Sequence, residues 1–378
     1  MFAQLTAWKV KRLVFKRCQH GIGSHSLSSL DVLFFGSDEF SIHALDSLRS
    51  LQNNYPPLVK DIQVVTRKPK WCGRYKSVLK HTPIVEHCKT IGLREPLLCD
   101  SKQDMLDIGD VHNYDMVVAV SFGKLIPSKL LSKAKYSLNI HPSLLPRYKG
   151  ASPIQYALLN RDTETGVTIQ TLHPNKFDHG RIIAQTRPLS TSDLLAKGVV
   201  SEFPEKTPIY TAILMDQLGL VGGELLKKVI SEQLYTDQNK SIESGQVFEA
   251  SYASRITSAM KQISWNTDEA IDLVVRLNTL GPLFAPIKVL MRKNGNVNKR
   301  IIFHDFTVCS NYQEKLGSPG QFCYDDKSMT VVVCCANNSY IQVKSLQFEG
   351  FTVETASEFV RRFRKRCGNK TESTFEFV

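Results

Sequence analysis

Between residues 31 and 141 the chain alternates short, continuously apolar runs with segments of helical periodicity, and this alternation restricts its fold more than any other feature. DVLFFGS (31–37) ends at a glycine turn, and FSIHALDSLRSL (40–51) follows with helical spacing at Ile42, Leu45, Leu48 and Leu51. DIQVVT (61–66), YDMVVAVSFG (114–123) and YSLNIH (136–141) repeat the strand pattern, and TPIVEHCKTIG (82–92) reads as a helix ending at a glycine. Apolar strands alternating with helices predict an α/β fold, a parallel sheet covered on both faces. Such sheets take ligands at the carboxyl ends of their strands.

The second half changes character. TPIYTAILMDQLGLVGGELLKKVI (207–230) predicts a helix whose continuity is weakened by Gly219, Gly222 and Gly223. YTDQNKSIESGQ (235–246) is polar enough for a linker, and DEAIDLVVRLNTL (268–280) is a helix stopped by Gly281-Pro282. Five short strand candidates follow at hairpin-like spacing, in IKVLMRK, RIIFHDFTV, GQFCYDD, MTVVVCC and YIQVKSLQFEG. They predict a smaller β-barrel of the OB type, although the pattern fits another small barrel equally well.

Charge narrows the partners. The net charge of +12 suits a polyanion. The first 30 residues hold five of the 48 Lys and Arg and none of the 36 acids, so the remainder still carries +7. Lys9, Arg12 and Lys16 share one helical face opposite Ala3, Ala7, Val10 and Val14, which predicts a mitochondrial transit peptide over 1–30; a basic tail of the kind found in nucleic-acid binders is the alternative. The nine cysteines form no C-x-x-C pair and no Cys/His cluster at zinc spacing, so no metal is expected, and an odd number suits a reducing compartment. No run approaches the ~18–20 uninterrupted apolar residues needed to span a bilayer. FFGSDEFS has one glycine where a dinucleotide fingerprint needs three, and no Walker motif is present.

The chemistry concentrates in SLNIHPSLLPRYKGASPIQYALLNRDTETGVTIQTL (137–172) and HPNKFDHGRIIAQ (173–185). Asn139 and His141 are two apart at the end of a predicted strand, so they point to the same side at the sheet's carboxyl edge. Asp178 lies in a D-x-G turn between two later strand candidates. An amide donor, an imidazole and a carboxylate together suit acyl transfer through a tetrahedral intermediate.

The run N-x-H-P-S-L-L-P-R-Y-K-G-A-S-P-I-Q resembles the signature of the N10-formyltetrahydrofolate transferase superfamily, and the stretch through GASPIQYALLNRDTETGVTI is most similar to its methionyl-tRNA formyltransferase branch. The leader adds a resemblance to mitochondrial forms. The resemblance implies a Rossmann-like formyltransferase domain at 31–234, a linker at 235–250 and an OB-like tRNA-binding domain at 251–378. It makes Asn139, His141 and Asp178 the catalytic trio, and Ser143, Leu144, Leu145 and Pro146 part of the folate site. The co-substrate would be 10-formyltetrahydrofolate and the acceptor the α-amino group of methionyl-tRNA, with a monomer expected in the mitochondrial matrix. Asp178 follows a lengthened HPNKFD turn, and neighbouring His173 and His179 compete with it for the third role.

RKPKWCGRYKSVLKHTP (67–83) carries six Lys or Arg, no acid, and the aromatics Trp71 and Tyr75. Cations interleaved with rings suit phosphate contact and base stacking. The resemblance makes it a flexible loop that wedges into the tRNA end, with Gly73-Arg74 as its aligned pair and Arg67, Lys68, Lys70, Arg74 and Lys76 facing RNA. Arg361, Arg362 and Arg364 on a basic C-terminal helix are further RNA candidates, balanced against a plain solvated face. A small-substrate formyltransferase, a formyltetrahydrofolate hydrolase and an inactive RNA-binding relative remain as alternatives.

Overall fold

The computed structural model describes residues 29–237, 248–291, 295–310, 312, 316–367 and 375–376; residues 1–28 of the expected leader lie outside them, whereas Leu30 already begins the first strand. The first sheet runs in spatial order Ile182–Gln185, Thr168–Gln170, Tyr136–His141, Met116–Val120, Leu30–Gly36, Val59–Thr66 and Leu97–Leu98. From Tyr136–His141 through Leu97–Leu98 every ladder is parallel. Thr168–Gln170 departs from the expected all-parallel sheet, running antiparallel to both of its neighbours. Its link to Ile182–Gln185 is too short for a parallel crossover, which needs a dozen or more residues and usually a helix.

Both faces of the parallel strands are covered, as their unbroken apolar runs require. Phe34, Val118 and Leu138 pack beneath the helices Glu39–Asn53 and Ile209–Ser231. Leu33, Phe35 and Val117 point the other way, into a core with Met105 and Leu130. Consecutive residues of one strand thus serve opposite cores, the period-two geometry of a pleated strand.

The glycines that weakened the helix prediction at 207–230 have a packing role instead. Ile209–Ser231 is one continuous helix. A Cβ on Gly219 would stand 2.4 Å from the His43 ring, and one on Gly223 would stand 2.4 Å from Ser47 Oγ and 2.8 Å from the His43 carbonyl. The two helices cross at a distance only glycine permits. Buried Asp216 then reaches His43 Nε2 at 2.8 Å and accepts the Val200 amide at 2.6 Å, tying the loop that precedes the second helix to the pair. By length and composition this helix could cross a bilayer, but Leu214, Leu218, Leu226 and Val229 are wholly buried in the domain.

The second domain is built of antiparallel strands. Leu283–Met291, Gly295–Val308, Tyr340–Phe348, Thr330–Cys334, Gln321–Asp325 and Phe375–Glu376 follow one another in space, with Val353–Thr355 paired off Tyr340–Phe348. Its core holds Trp265, Phe303, Phe322 and Phe359, closed by the helices Ala270–Leu280 and Ala356–Cys367. The domains meet where Thr211 Oγ1 donates to the Thr279 carbonyl at 2.8 Å and Arg161 pairs with Asp272 at 3.4 Å.

Gly223→Ala should destabilise the protein by about 1–3 kcal/mol through overpacking at the helix crossing. Gly222→Ala, whose new methyl meets the Ile140 and Val167 side chains at a tight but less severe 3.3 Å, should cost less, offset by the helix preference of alanine. Urea midpoints of the two variants test the contrast; equal losses would show that the crossing is not the limiting contact.

Candidate active site

The carboxyl end of Tyr136–His141 opens into a cavity of about 530 Å³. Leu138 and Ile140 turn into the core, which leaves Asn139 and His141 on the opposite side. The antiparallel neighbour sets Gln170 opposite Asn139 and Thr168 opposite His141. The chain then turns through 171–181 and returns as Ile182–Gln185, carrying Asp178 back over the strand end.

Asp178 gathers the site. Its Oδ1 accepts Asn139 Nδ2 at 3.2 Å and Gln170 Nε2 at 3.1 Å and lies 3.4 Å from His141 Nδ1; its Oδ2 accepts the Gly150 amide at 2.8 Å. Asp178 holds a left-handed φ of 54°, a conformation that short polar side chains tolerate better than most. Gly180 completes the turn at a point where a Cβ would fall 1.6 Å from the Thr171 carbonyl. The side chains of His141 and Asp178 are 6% and 7% exposed, so their attraction is little screened by water.

The imidazole has a defined polarity. His141 Nε2 lies 2.8 Å from the Tyr148 carbonyl, which can only accept, so Nε2 donates. Nδ1 is left facing Asp178. The ring is thereby oriented from both sides, by a carbonyl and by a carboxylate.

The structure therefore brings Asn139, His141 and Asp178 together. His173 lines the cavity, but its Nδ1 accepts the Asn175 and Lys176 amides at 3.1 Å, and His179 is exposed. Ser143, Leu144, Leu145 and Pro146 do not line the cavity; their neighbour Pro142 does. Ser143, Leu144 and Leu145 are buried. Ser143 Oγ donates to the Arg147 carbonyl at 2.6 Å, and Gln185 Nε2 donates to the Leu145 carbonyl at 2.7 Å. This segment braces the wall behind the trio. Phe122, Leu125, Ile126 and Leu172 give the cavity an apolar side.

Sequence reasoning missed Gln170, the Gly150 amide, the Tyr148 carbonyl and Asp38. Backbone groups leave no trace in residue type, and Gln170 lies in a strand whose pairing partner local sequence does not reveal. Asp38 lines the cavity from the first strand-to-helix turn, where it caps Glu39–Asn53 by accepting the Ser41 amide at 3.1 Å. Burial pushes its carboxyl up to about 7, against the lowering effect of the Ser41 amide.

The basic segment forms a hairpin, Lys70–Cys72 against Val78–Lys80, projecting with Trp71 60% and Tyr75 87% exposed. Lys70 and Lys76 are exposed on it. Arg67 and Lys68 instead turn back to Asp100 and Asp104 at its base. The side chains of Arg74 and Arg364 lie outside the described residues. On the C-terminal helix Arg361 is exposed, whereas Arg362 bonds buried Glu354 at 2.5 Å and Arg366 shares that carboxylate at 2.6 Å while covering the Phe351 ring at 4.0 Å. Arg362 is thus half committed to internal pairing.

Residues 30–198 match the family model described as formyl transferase, and 255–364 the one described as formyl transferase, C-terminal domain. The chain is 46% identical, over 92% of its length and 93% of the relative's, to the mitochondrial methionyl-tRNA formyltransferase of Saccharomyces cerevisiae. It is 28% identical to the methionyl-tRNA formyltransferase of Finegoldia magna over 87% of this chain and 95% of that protein. An N-formyltransferase from Helicobacter canadensis, solved with folinic acid and dTDP-3-aminofucose, shares the fold at a TM-score of 0.50 and 16% identity, covering 83% of this chain and 98% of that one.

Asp38 generates a pH prediction. Its folded carboxyl, at about 7, binds a proton more tightly than the unfolded one at 3.8, so stability is lost as pH rises from about 4 through about 7. Asp38→Asn removes this loss, and its Tm relative to the parent should be clearly higher at pH 8 than at pH 4. Thermal melts at the two pH values check it; a difference independent of pH would mean that the carboxyl does not titrate in this range.

Proposed function

The chain belongs to the formyl transferase family, and we propose that it moves the formyl group of 10-formyltetrahydrofolate to the free α-amino group of methionyl-tRNA in mitochondria. Asn139, His141 and Asp178 converging on one wall of the cavity carry the reading. The near full-length similarity to the yeast relative favours it over a small-substrate transferase, a hydrolase or an inactive RNA-binding protein.

The steps follow from the hydrogen bonds. Donor and acceptor are held together in the cavity, whose size suits a small-molecule ligand, so that attack is effectively intramolecular. The amine nitrogen attacks the formyl carbon, and the carbonyl oxygen becomes an oxyanion. One Asn139 N–H is held by Asp178, and the second is free to donate to that oxygen as its charge grows. The attacking nitrogen loses a proton through His141 Nδ1, beside Asp178, while Nε2 stays on the Tyr148 carbonyl. The bond from carbon to N10 then breaks, N10 takes up the proton, and formyl amide and tetrahydrofolate leave. Ser143 to Pro146 support the folate side by holding Pro142 against the cavity.

The domain division proposed is 31–234 for catalysis and 251–378 for tRNA, joined by 235–250. The exposed hairpin with Lys70, Trp71, Arg74, Tyr75 and Lys76 is the RNA-facing element, aided by Arg361. Within mitochondria, the proposed site of action is the matrix, with formylmethionyl-tRNA serving translation initiation.

Protein lacking residues 1–28, incubated with 10-formyltetrahydrofolate and methionyl-tRNA, should formylate the charged tRNA and leave free methionine unchanged. Donor breakdown without acceptor would point to the hydrolase. Arg74→Ala or Trp71→Ala should raise KM for tRNA about tenfold, in line with loss of one stacking or phosphate contact, with KM for the donor unaltered; parallel losses would assign the hairpin to the folate site. His141→Ala should lower the single-turnover rate by about 10²–10⁴. A normal rate with both substrates bound would remove it from the mechanism.

A further inference from the structure

The chain passes from the first domain to the second through Ser251, Tyr252 and Ala253, and these residues touch the backbone that supports the catalytic groups. Tyr252 and Ala253 form a short parallel ladder with Lys149 and Gly150. Ser251 Oγ accepts the Tyr148 amide at 2.9 Å and the Ser251 carbonyl accepts the Lys149 amide at 2.9 Å. The Ala253 carbonyl accepts the Ala151 amide at 2.9 Å, and Ser251 N donates to the Pro146 carbonyl at 3.3 Å.

The same few residues serve the site with their remaining polar groups. The Tyr148 carbonyl accepts His141 Nε2, and the Gly150 amide donates to Asp178 Oδ2, each at 2.8 Å. The backbone at 148–150 is therefore bonded on one side to the interdomain strand and on the other to the imidazole and the carboxylate. Gly150 permits this. Its φ is +114°, and a Cβ there would fall 2.7 Å from the Ala253 carbonyl and 3.0 Å from the Tyr252 ring. Farther along, Tyr148 is held in place by its hydroxyl, which donates to Asp162 at 2.7 Å and accepts from Asn160 at 2.7 Å. A displacement of the interdomain strand reaches His141 and Asp178 through the Tyr148 and Gly150 backbone.

We propose that this crossing strand is part of the catalytic apparatus: Ser251 is a positioning residue that, through the Tyr148 and Gly150 backbone, sets the orientation of His141 and Asp178, so that how the second domain is seated governs the rate of formyl transfer. The inference rests on the formyl-transfer reading. Ser251 is exposed, and removing its hydroxyl opens no core cavity, so Ser251→Ala is expected to fold.

The test uses the full two-domain protein and compares Ser251→Ala and Ser251→Thr with the parent in single-turnover formyl transfer, with KM for both substrates and the pH dependence of the rate. Ser251→Ala should lower the rate about tenfold, within the range for a small misplacement of catalytic groups, leave both KM values within about twofold, and move the limb of the pH profile that reports the imidazole. Ser251→Thr, which restores the hydroxyl, should recover the rate and the profile. An unchanged rate and profile in Ser251→Ala overturns the inference, as does a rise in tRNA KM alone, which would make Ser251 an RNA contact, or a rate loss that threonine fails to rescue. Absence of transfer by the parent would instead overturn the functional reading before the variants are compared.

Discussion

One buried carboxylate with several donors organises the candidate active site of this protein. Asp178 receives hydrogen bonds from an amide on the strand Tyr136–His141, from a second amide on the antiparallel strand beside it, and from the backbone N–H of Gly150 between the two, with an imidazole nitrogen at 3.4 Å. An ionised carboxylate out of water is costly unless its lone pairs are occupied, and here the occupants belong to separate elements. Satisfying the charge therefore forces three stretches of chain into register. The antiparallel end of the sheet, the left-handed turn at Asp178 and the glycine beside Ala253 are the geometric conditions for that convergence.

The scaffold behind it relies on apolar burial and close approach. The helices Glu39–Asn53 and Ile209–Ser231 touch through glycines, and their buried polar residues, His43, Ser47 and Asp216, find partners within the pair or in the adjoining loop. The second domain repeats the principle with Glu354, whose carboxylate is satisfied by Arg362 and Arg366 and is held below its ordinary range chiefly by the Arg366 bond. Positive charge on this protein thus has two destinations. Arg67, Lys68, Arg362 and Arg366 pair within the fold, whereas Lys70, Lys76 and Arg361 face outward.

Several elements were readable because their cause is local. The strand runs at 31–37, 61–66 and 136–141 and the helix at 268–280 fall where period and punctuation put them. The helix Lys102–Val111 was overlooked although Ser101 and Asp104 form a capping box; its apolar face is sparse, which weakens periodicity as a signal. The basic segment at 67–83, expected as a flexible loop, carries a short antiparallel ladder, since strand pairing depends on a partner that composition does not name. The three glycines of Ile209–Ser231 looked like breaks because their benefit lies on another helix.

Residue types and their spacing were enough to determine an α/β domain followed by antiparallel strands, and to put Asn139 and His141 on one side of a strand end, because side-chain alternation along a strand is a property of the backbone itself; their joint role with Asp178 was implied by the resemblance to formyltransferases. The spacing also marked Asp178, through a turn motif with few conformations. Only the tertiary structure decided that Gln170, the Gly150 amide and the Tyr148 carbonyl join that trio, that Asp38 shares its cavity, and that a strand from the interdomain crossing braces it. The reason is physical: backbone donors and acceptors are the same in every residue, so which of them meets a given charge is set by long-range pairing, and local pattern carries no record of it.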